Sequence, residues 1–123
     1  GRLDGAIHSG GETVFPEQVE QRLLELVRAQ RLPVEDLLVL PKPDPLWGER
    51  LVALVKPEAG IDAGEAVLWQ SLQMLALTLP PSQRPRRWLP CPELQRSSLG
   101  KWERWRWSQW LSSQSASQPA PEP

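Results

Sequence analysis

The sequence predicts an α+β domain: a small sheet of about three strands packed with two main helices and a short C-terminal helix. Three observations lead there. Leucine and valine recur at helical spacing in two separate stretches, 16–30 and 63–79. Short apolar runs of strand length lie beside them, at 36–40, 50–56 and 86–89. Proline or glycine marks nearly every junction between these segments. Elements in that order form a layer of helices on a small sheet.

GRLDGAIHSGGET, residues 1–13, holds four of the chain's eight glycines around the apolar pair Ala6-Ile7. It predicts a strand followed by a tight Gly10-Gly11 loop, where the lack of a Cβ lets backbone approach a ligand closely. Pro16 suits the first turn of a helix, with Glu17 and Glu20 near its positive end. Val19, Leu23, Leu26 and Val27 then give that helix one buried face through about Gln30. After Leu32-Pro33, the runs DLLVL (36–40) and RLVALVK (50–56) predict two strands joined by the proline-rich turn PKPDPLWGE. Leu68, Leu72, Leu75 and Leu79 mark a second helix, stopped by Pro80-Pro81. RRWL (86–89) predicts a further strand, 90–100 a connecting loop, and 105–111 a short last helix. From Ser112 the tail SSQSASQPAPEP offers nothing to bury and is expected to be disordered.

At 123 residues the chain is long enough for one core without disulfides or metal, so one domain is expected to hold every motif. Fourteen Lys and Arg against fifteen Asp and Glu leave a net charge of -1, so nothing global favours nucleic acid or an anionic membrane. Locally, Arg84, Arg86, Arg87, Arg96, Lys101, Arg104 and Arg106 crowd the last third, which suits either an anionic ligand or a solvated basic surface. The single cysteine, Cys91, excludes an internal disulfide and points to a reducing, cytoplasmic setting. With one histidine, His8, there is no metal-ligand spacing and no nucleophile-base pair, so no metal site is expected on this chain. No apolar run approaches the ~20 residues that span a bilayer. The chain opens on Gly1, which leads us to expect a piece of a longer protein.

Ten positions of the first twenty, Gly1, Arg2, Asp4, Ile7, Gly10, Gly11, Glu12, Pro16, Val19 and Glu20, are spaced as in the hinge motif of the AMP-forming adenylating enzymes. That superfamily holds the acyl-CoA synthetases, luciferases and peptide adenylation domains, and the chain resembles its C-terminal lid. DPLWGERLVALV at 44–55 and RSSLGKWER at 96–104 resemble two further motifs of the lid, in the same order. Gln95 and Leu99 depart from the last of them, which commonly has proline and a small polar residue there.

The resemblance implies ATP and CoA as substrates, with magnesium in the full-length enzyme, and a large N-terminal domain as partner. A carboxylate would attack the α-phosphate of ATP to give acyl-AMP and pyrophosphate, and the CoA thiol would then displace AMP. It also implies roles: Lys101 as the adenylation lysine, carried on a flexible Ser-Ser-Leu-Gly approach; Arg2 near the nucleotide; Asp4 as hinge; Gly10, Gly11 and Glu12 as the loop that faces CoA. Without the large domain the piece is expected to be inactive. Pro85, Arg87, Trp88, Leu89, Pro92, Glu93 and Leu94 further resemble the o-succinylbenzoate-CoA ligase branch of menaquinone and phylloquinone synthesis. Two alternatives stand beside it: the lid of another aryl- or fatty-acid-CoA ligase, and a non-enzymatic interaction module built on the Trp/Arg-rich end. Trp107, Trp110 and Leu111 share one helix face that can pack on this domain's core, while Trp102 and Trp105 point elsewhere, so surplus indole surface is expected to meet the large domain.

Overall fold

In the computed structural model, which describes residues 5–62 and 65–117, the chain first turns back on itself at Gly10-Gly11. These two residues have φ of 58° and 84°. Positive φ at both central positions is the geometry that joins twisted strands in a two-residue hairpin. Strand β1 (Ile7–Ser9) accordingly pairs antiparallel with β2 (Glu12–Val14), a second strand that sequence periodicity is too short to reveal. Helix α1 (Pro16–Ala29) follows, with Pro16 in its first turn and Arg28 in its last. It buries Val19, Leu23 and Val27 as predicted, and Leu24 as well, while Leu26, expected on the same face, is only partly buried.

Strands β3 (Val34–Asp44) and β4 (Gly48–Pro57) form the long antiparallel ladder of the sheet. β3 runs past Leu40 through Pro41 and Pro43, residues that the sequence places in a turn. The reason is its edge position in the order β2-β1-β4-β3. The amides of Leu37 and Val39 point away from β4, donating to Asp36 Oδ1 at 2.9 Å and Glu20 Oε1 at 3.0 Å. Pro41 and Pro43 share their parity, so the N–H groups that proline lacks would have faced outward. No ladder bond is lost. Carboxylates and prolines together blunt an edge that would otherwise invite another strand.

Helix α2 (Ala66–Ala76) is shorter than its leucine period suggests. Beyond Ala76, the amides of Leu77, Thr78 and Leu79 bond carbonyls three residues back, so the last turn tightens before Pro80. Arg84 caps this end, donating from Nε to the Leu79 carbonyl at 2.8 Å and from Nη2 to that of Leu77 at 3.4 Å. A 3₁₀ turn (Pro81–Gln83) leads to β5 (Arg87–Pro90), which pairs in parallel with β4 from Val52↔Arg87 to Val55↔Pro90. β1 and β5 therefore share one edge of β4, and β3 takes the other. Leu23, Val27, Leu37, Val39, Leu51, Ala53, Val55, Leu68 and Leu72 form the core between sheet and helices.

Contacts divide the chain into two compact units, Gly1–Glu93 and Leu94–Pro123, where the sequence reads as one domain. The second unit carries a loop and helix α3 (Arg104–Ser117), which buries Trp107 and Leu111 one turn apart. α3 extends six residues past Leu111, into the stretch expected to be a disordered tail. Ser, Gln and Ala there are tolerated in a helix, and the first breaker is Pro119. Residues 118–123 lie outside the described residues.

Candidate functional site

Lys101 sits at the exit of a turn closed by its own backbone and one hydroxyl. The Ser97 amide donates to the Lys101 carbonyl at 2.8 Å, and the Gly100 amide to the Ser97 carbonyl at 2.8 Å. Ser97 Oγ accepts from the amides of Leu99 and Lys101, each at 3.3 Å. Gly100 makes this turn possible through its φ of 78°, in the left-handed region that side chains disfavour. Arg96 lies over the Trp102 ring, 4.3 Å from its centroid, and donates from Nη1 to the Gly100 carbonyl at 3.3 Å. The approach that composition marks as flexible is thus tied at both ends. Lys101 itself is exposed, and no carboxylate among the described residues forms an ion pair with it.

Gly10, Gly11 and Glu12 belong to the first unit, at the β1–β2 hairpin. The Gly10 amide donates to the Trp47 carbonyl at 2.9 Å, and the Trp47 indole packs over the turn. A Cβ at Gly10 would fall 2.7 Å from Trp47 Cε3, whereas one at Gly11 would meet nothing within 4 Å. Gly10 is therefore required for packing as well as for conformation, and Gly11 is the open side of the loop. Arg50 stacks on Trp47 at 4.3 Å from the ring centroid. Glu12 Oε2 accepts from the buried Ser82 hydroxyl at 3.0 Å, which ties the hairpin to the 3₁₀ turn.

Trp47 is itself placed by Asp44. Asp44 Oδ1 accepts from the amides of Leu46 and Trp47, both at 2.9 Å, and Oδ2 pairs with Arg86 Nη1 at 3.1 Å. The Trp47 and Leu46 amides, with Arg86 and Arg50 adding smaller attractions, hold the Asp44 carboxyl below its ordinary 3.8, against an opposing push from burial. Periodicity and the hinge motif give no hint of this support. The signal was an Asp three residues before Trp47 in a Pro-containing turn, the spacing of a side-chain cap.

Arg2 and Asp4 lie outside the described residues. The basic cluster is largely spoken for: Arg84 caps α2, Arg86 holds Asp44, Arg96 covers Trp102, and Arg106 faces Glu103 at 3.7 Å. His8 is exposed and the Cys91 side chain is buried. Of the indoles in the last helix, Trp107 is 2 % exposed and meets Trp110 edge-on, while Trp105 remains 65 % exposed. Among the described residues no three His, Cys, Asp or Glu side chains converge as metal ligands, and no helix is long and apolar enough to cross a membrane.

A hairpin, a helix-covered antiparallel ladder with one parallel strand, and a loop-helix unit carrying a presented lysine together make the fold of the adenylating-enzyme C-terminal domain. Acyl-CoA ligases are the proteins it resembles. The chain is 32% identical over 123 residues to 4-chlorobenzoate-CoA ligase of Pseudomonas sp. strain CBS-3, covering all of this chain and 22% of that one. It is 34% identical over 110 residues to medium-chain acyl-CoA ligase Mig of Mycobacterium avium, covering 88% and 18%. Among solved structures, an acyl-CoA synthetase of Brucella canis superposes with a TM-score of 0.71 at 28% identity, over 93% of this chain and 20% of that one. The chain thus spans about a fifth of the length of these relatives. No protein-family model matches it.

Proposed function

We propose that this chain is the mobile C-terminal domain of an ATP-dependent, AMP-forming acid-CoA ligase, and that Lys101 is its adenylation lysine. The observation that carries this reading is an exposed lysine without a carboxylate partner among the described residues, held at the mouth of a closed turn. In the first half-reaction an oxygen of the acid attacks the α-phosphorus of ATP. The bond from that phosphorus to the bridging oxygen of pyrophosphate breaks, leaving acyl-AMP. Negative charge grows on the phosphoryl oxygens as the new bond forms. An ammonium brought there stabilises that charge more in the transition state than in the ground state, which is what accelerates a step. Lysine suits the role because its charge sits at the end of a long stem.

In the second half-reaction the CoA sulfur attacks the acyl carbon and AMP leaves. Here we assign Gly10, Gly11 and Glu12 to the face presented to CoA, with Gly11 offering the open backbone. Asp4 is proposed as the hinge between the two poses and Arg2 as a nucleotide contact. The rest of the enzyme, the proposed partner of this domain, would bind ATP, the acid and magnesium, and the domain alone would be inactive. A cytoplasmic setting completes the proposal.

For the acid, we propose o-succinylbenzoate, in menaquinone or phylloquinone synthesis. Support for it is the string from Pro85 to Leu94, which enters, forms and leaves β5. Turnover of o-succinylbenzoate, 4-chlorobenzoate and a medium-chain fatty acid by the full-length parent enzyme tests it. A preference for either of the latter two would transfer the chain to that branch. The lysine is tested by Lys101→Ala in the same enzyme. Acyl-AMP formation should fall by about 10² or more, the scale of losing one preorganised donor. Transfer from supplied acyl-AMP to CoA should be much less affected, and equal damage to both steps would refute the role.

A further inference from the structure

The turn that presents Lys101 is closed by a side chain outside the reacting centre. We propose that Ser97 is a positioning residue for Lys101, acting through its hydroxyl, with Arg96 in support. This rests on Lys101 being the adenylation lysine. Ser97 uses every polar group it has within the turn: its amide to the Lys101 carbonyl, its carbonyl to the Gly100 amide, and its Oγ to the amides of Leu99 and Lys101. Both peptide groups that flank Lys101 are consequently anchored. The lysine's amide is held by Oγ, its carbonyl by the Ser97 amide, and the Gly100 carbonyl by Arg96.

What remains free is the stem of Lys101. A hydroxyl bonding amides two and four residues ahead replaces water that those amides would otherwise bind, and so selects one backbone path among many. Leu99, by contrast, is 81% exposed and contributes only its amide. That explains how this chain accommodates leucine where a small polar residue is common: Ser97 does the holding. Arg96 restrains the same turn from outside, since its planar guanidinium covers the Trp102 ring while one nitrogen reaches the Gly100 carbonyl. A lysine cannot reproduce both contacts.

The function of such a turn is to deliver an ammonium to within a fraction of an ångström of a developing charge, where misplacement by about 1 Å costs up to 10²-fold. Loss of the hydroxyl should therefore lower kcat of acyl-AMP formation by about tenfold, the equivalent of one to two net hydrogen bonds. The experiment uses the full-length enzyme and three substitutions, Ser97→Thr, Ser97→Val and Lys101→Ala. Threonine and valine have the same shape and differ in the hydroxyl, so any strain of branching is common to both. Pyrophosphate release reports adenylation, and CoA ester formation from supplied acyl-AMP reports the second step and the integrity of the fold.

We expect Ser97→Thr to keep adenylation within about twofold and Ser97→Val to lose about tenfold in kcat, with KM for ATP nearly unchanged and the second step spared. Equal adenylation by the Thr and Val enzymes would overturn the proposal, as would a parallel fall in both steps. If Lys101→Ala still adenylates normally, the underlying assignment of the lysine fails. If Lys101→Ala is defective but Ser97→Val is not, only the role of Ser97 fails.

Discussion

Replacing Gly10 with alanine should damage the hairpin far more than the same change at Gly11, although both residues have positive φ. The conformational part is similar for the two, because an L-residue held in the left-handed region costs about 1–2 kcal/mol. Packing separates them. At Gly11 a methyl group meets nothing within 4 Å, whereas at Gly10 it would lie 2.7 Å from Trp47 Cε3 and 3.0 Å from Cζ3. Trp47 has little room to yield, since Arg50 covers its ring and the Gly10 amide holds its carbonyl. Overpacking of this kind adds about 1–3 kcal/mol. We therefore expect Gly11→Ala to destabilise the chain by about 1–2 kcal/mol and Gly10→Ala by about 2–5 kcal/mol. Urea midpoints of the 123-residue chain measure both. Repeating the pair in a Trp47→Ala background should erase most of the difference, since a double-mutant cycle isolates the contact. If the two alanine variants unfold within about 0.5 kcal/mol of each other in the Trp47 parent, the hairpin is not seated on the indole as described.

Two further perturbations follow from carboxylates that sequence periodicity does not single out. Because the folded pKa of Asp44 lies below its ordinary 3.8, its charge contributes stability above that value and loses it as pH falls through the depressed one. Asp44→Asn should thus be less stable at neutral pH, and the gap to the parent should close in urea titrations taken progressively below pH 4; a gap that stays constant refutes the linkage. Glu20→Ala should cost about 1.5–3 kcal/mol, the value of a hydrogen bond to a charged group, by releasing the Val39 amide at the β3 edge. Glu20→Gln, which retains an acceptor and the same methylenes, should lose less in thermal or urea unfolding, and equal losses would show that the carboxylate's charge, not the acceptor or the buried methylenes, is what matters there.

The elements that were legible in the sequence are those decided by near neighbours. The period of Val19, Leu23 and Val27 predicts α1 and its buried face, and the Gly10-Gly11 pair predicts the turn, because helix faces and tight turns depend on residues a few positions apart. Where the structure departs, the deciding partner lies far along the chain. Pro41 and Pro43 look like turn residues until Glu20, nineteen positions before Val39, shows which edge of β3 faces outward. α2 ends early because Arg84 collects the carbonyls of a tightened turn that leucine spacing alone would continue.

The candidate site divides along the same line. Lys101 is found by motif register, and Gly10 by its neighbours, but the supports are contacts: Trp47 on Gly10, Asp44 on Arg86, Ser82 on Glu12. Ser97 is the instructive exception, since its partners are only two and four residues away. A Ser-Ser-Leu-Gly string has the same composition whether it is a loose linker or a closed turn. What distinguishes them is whether the first hydroxyl rotates onto the amides ahead of it, and that depends on the left-handed φ of Gly100 bringing those amides back within reach. The glycine that by composition alone reads as loosening the approach to Lys101 is therefore the residue that lets it close.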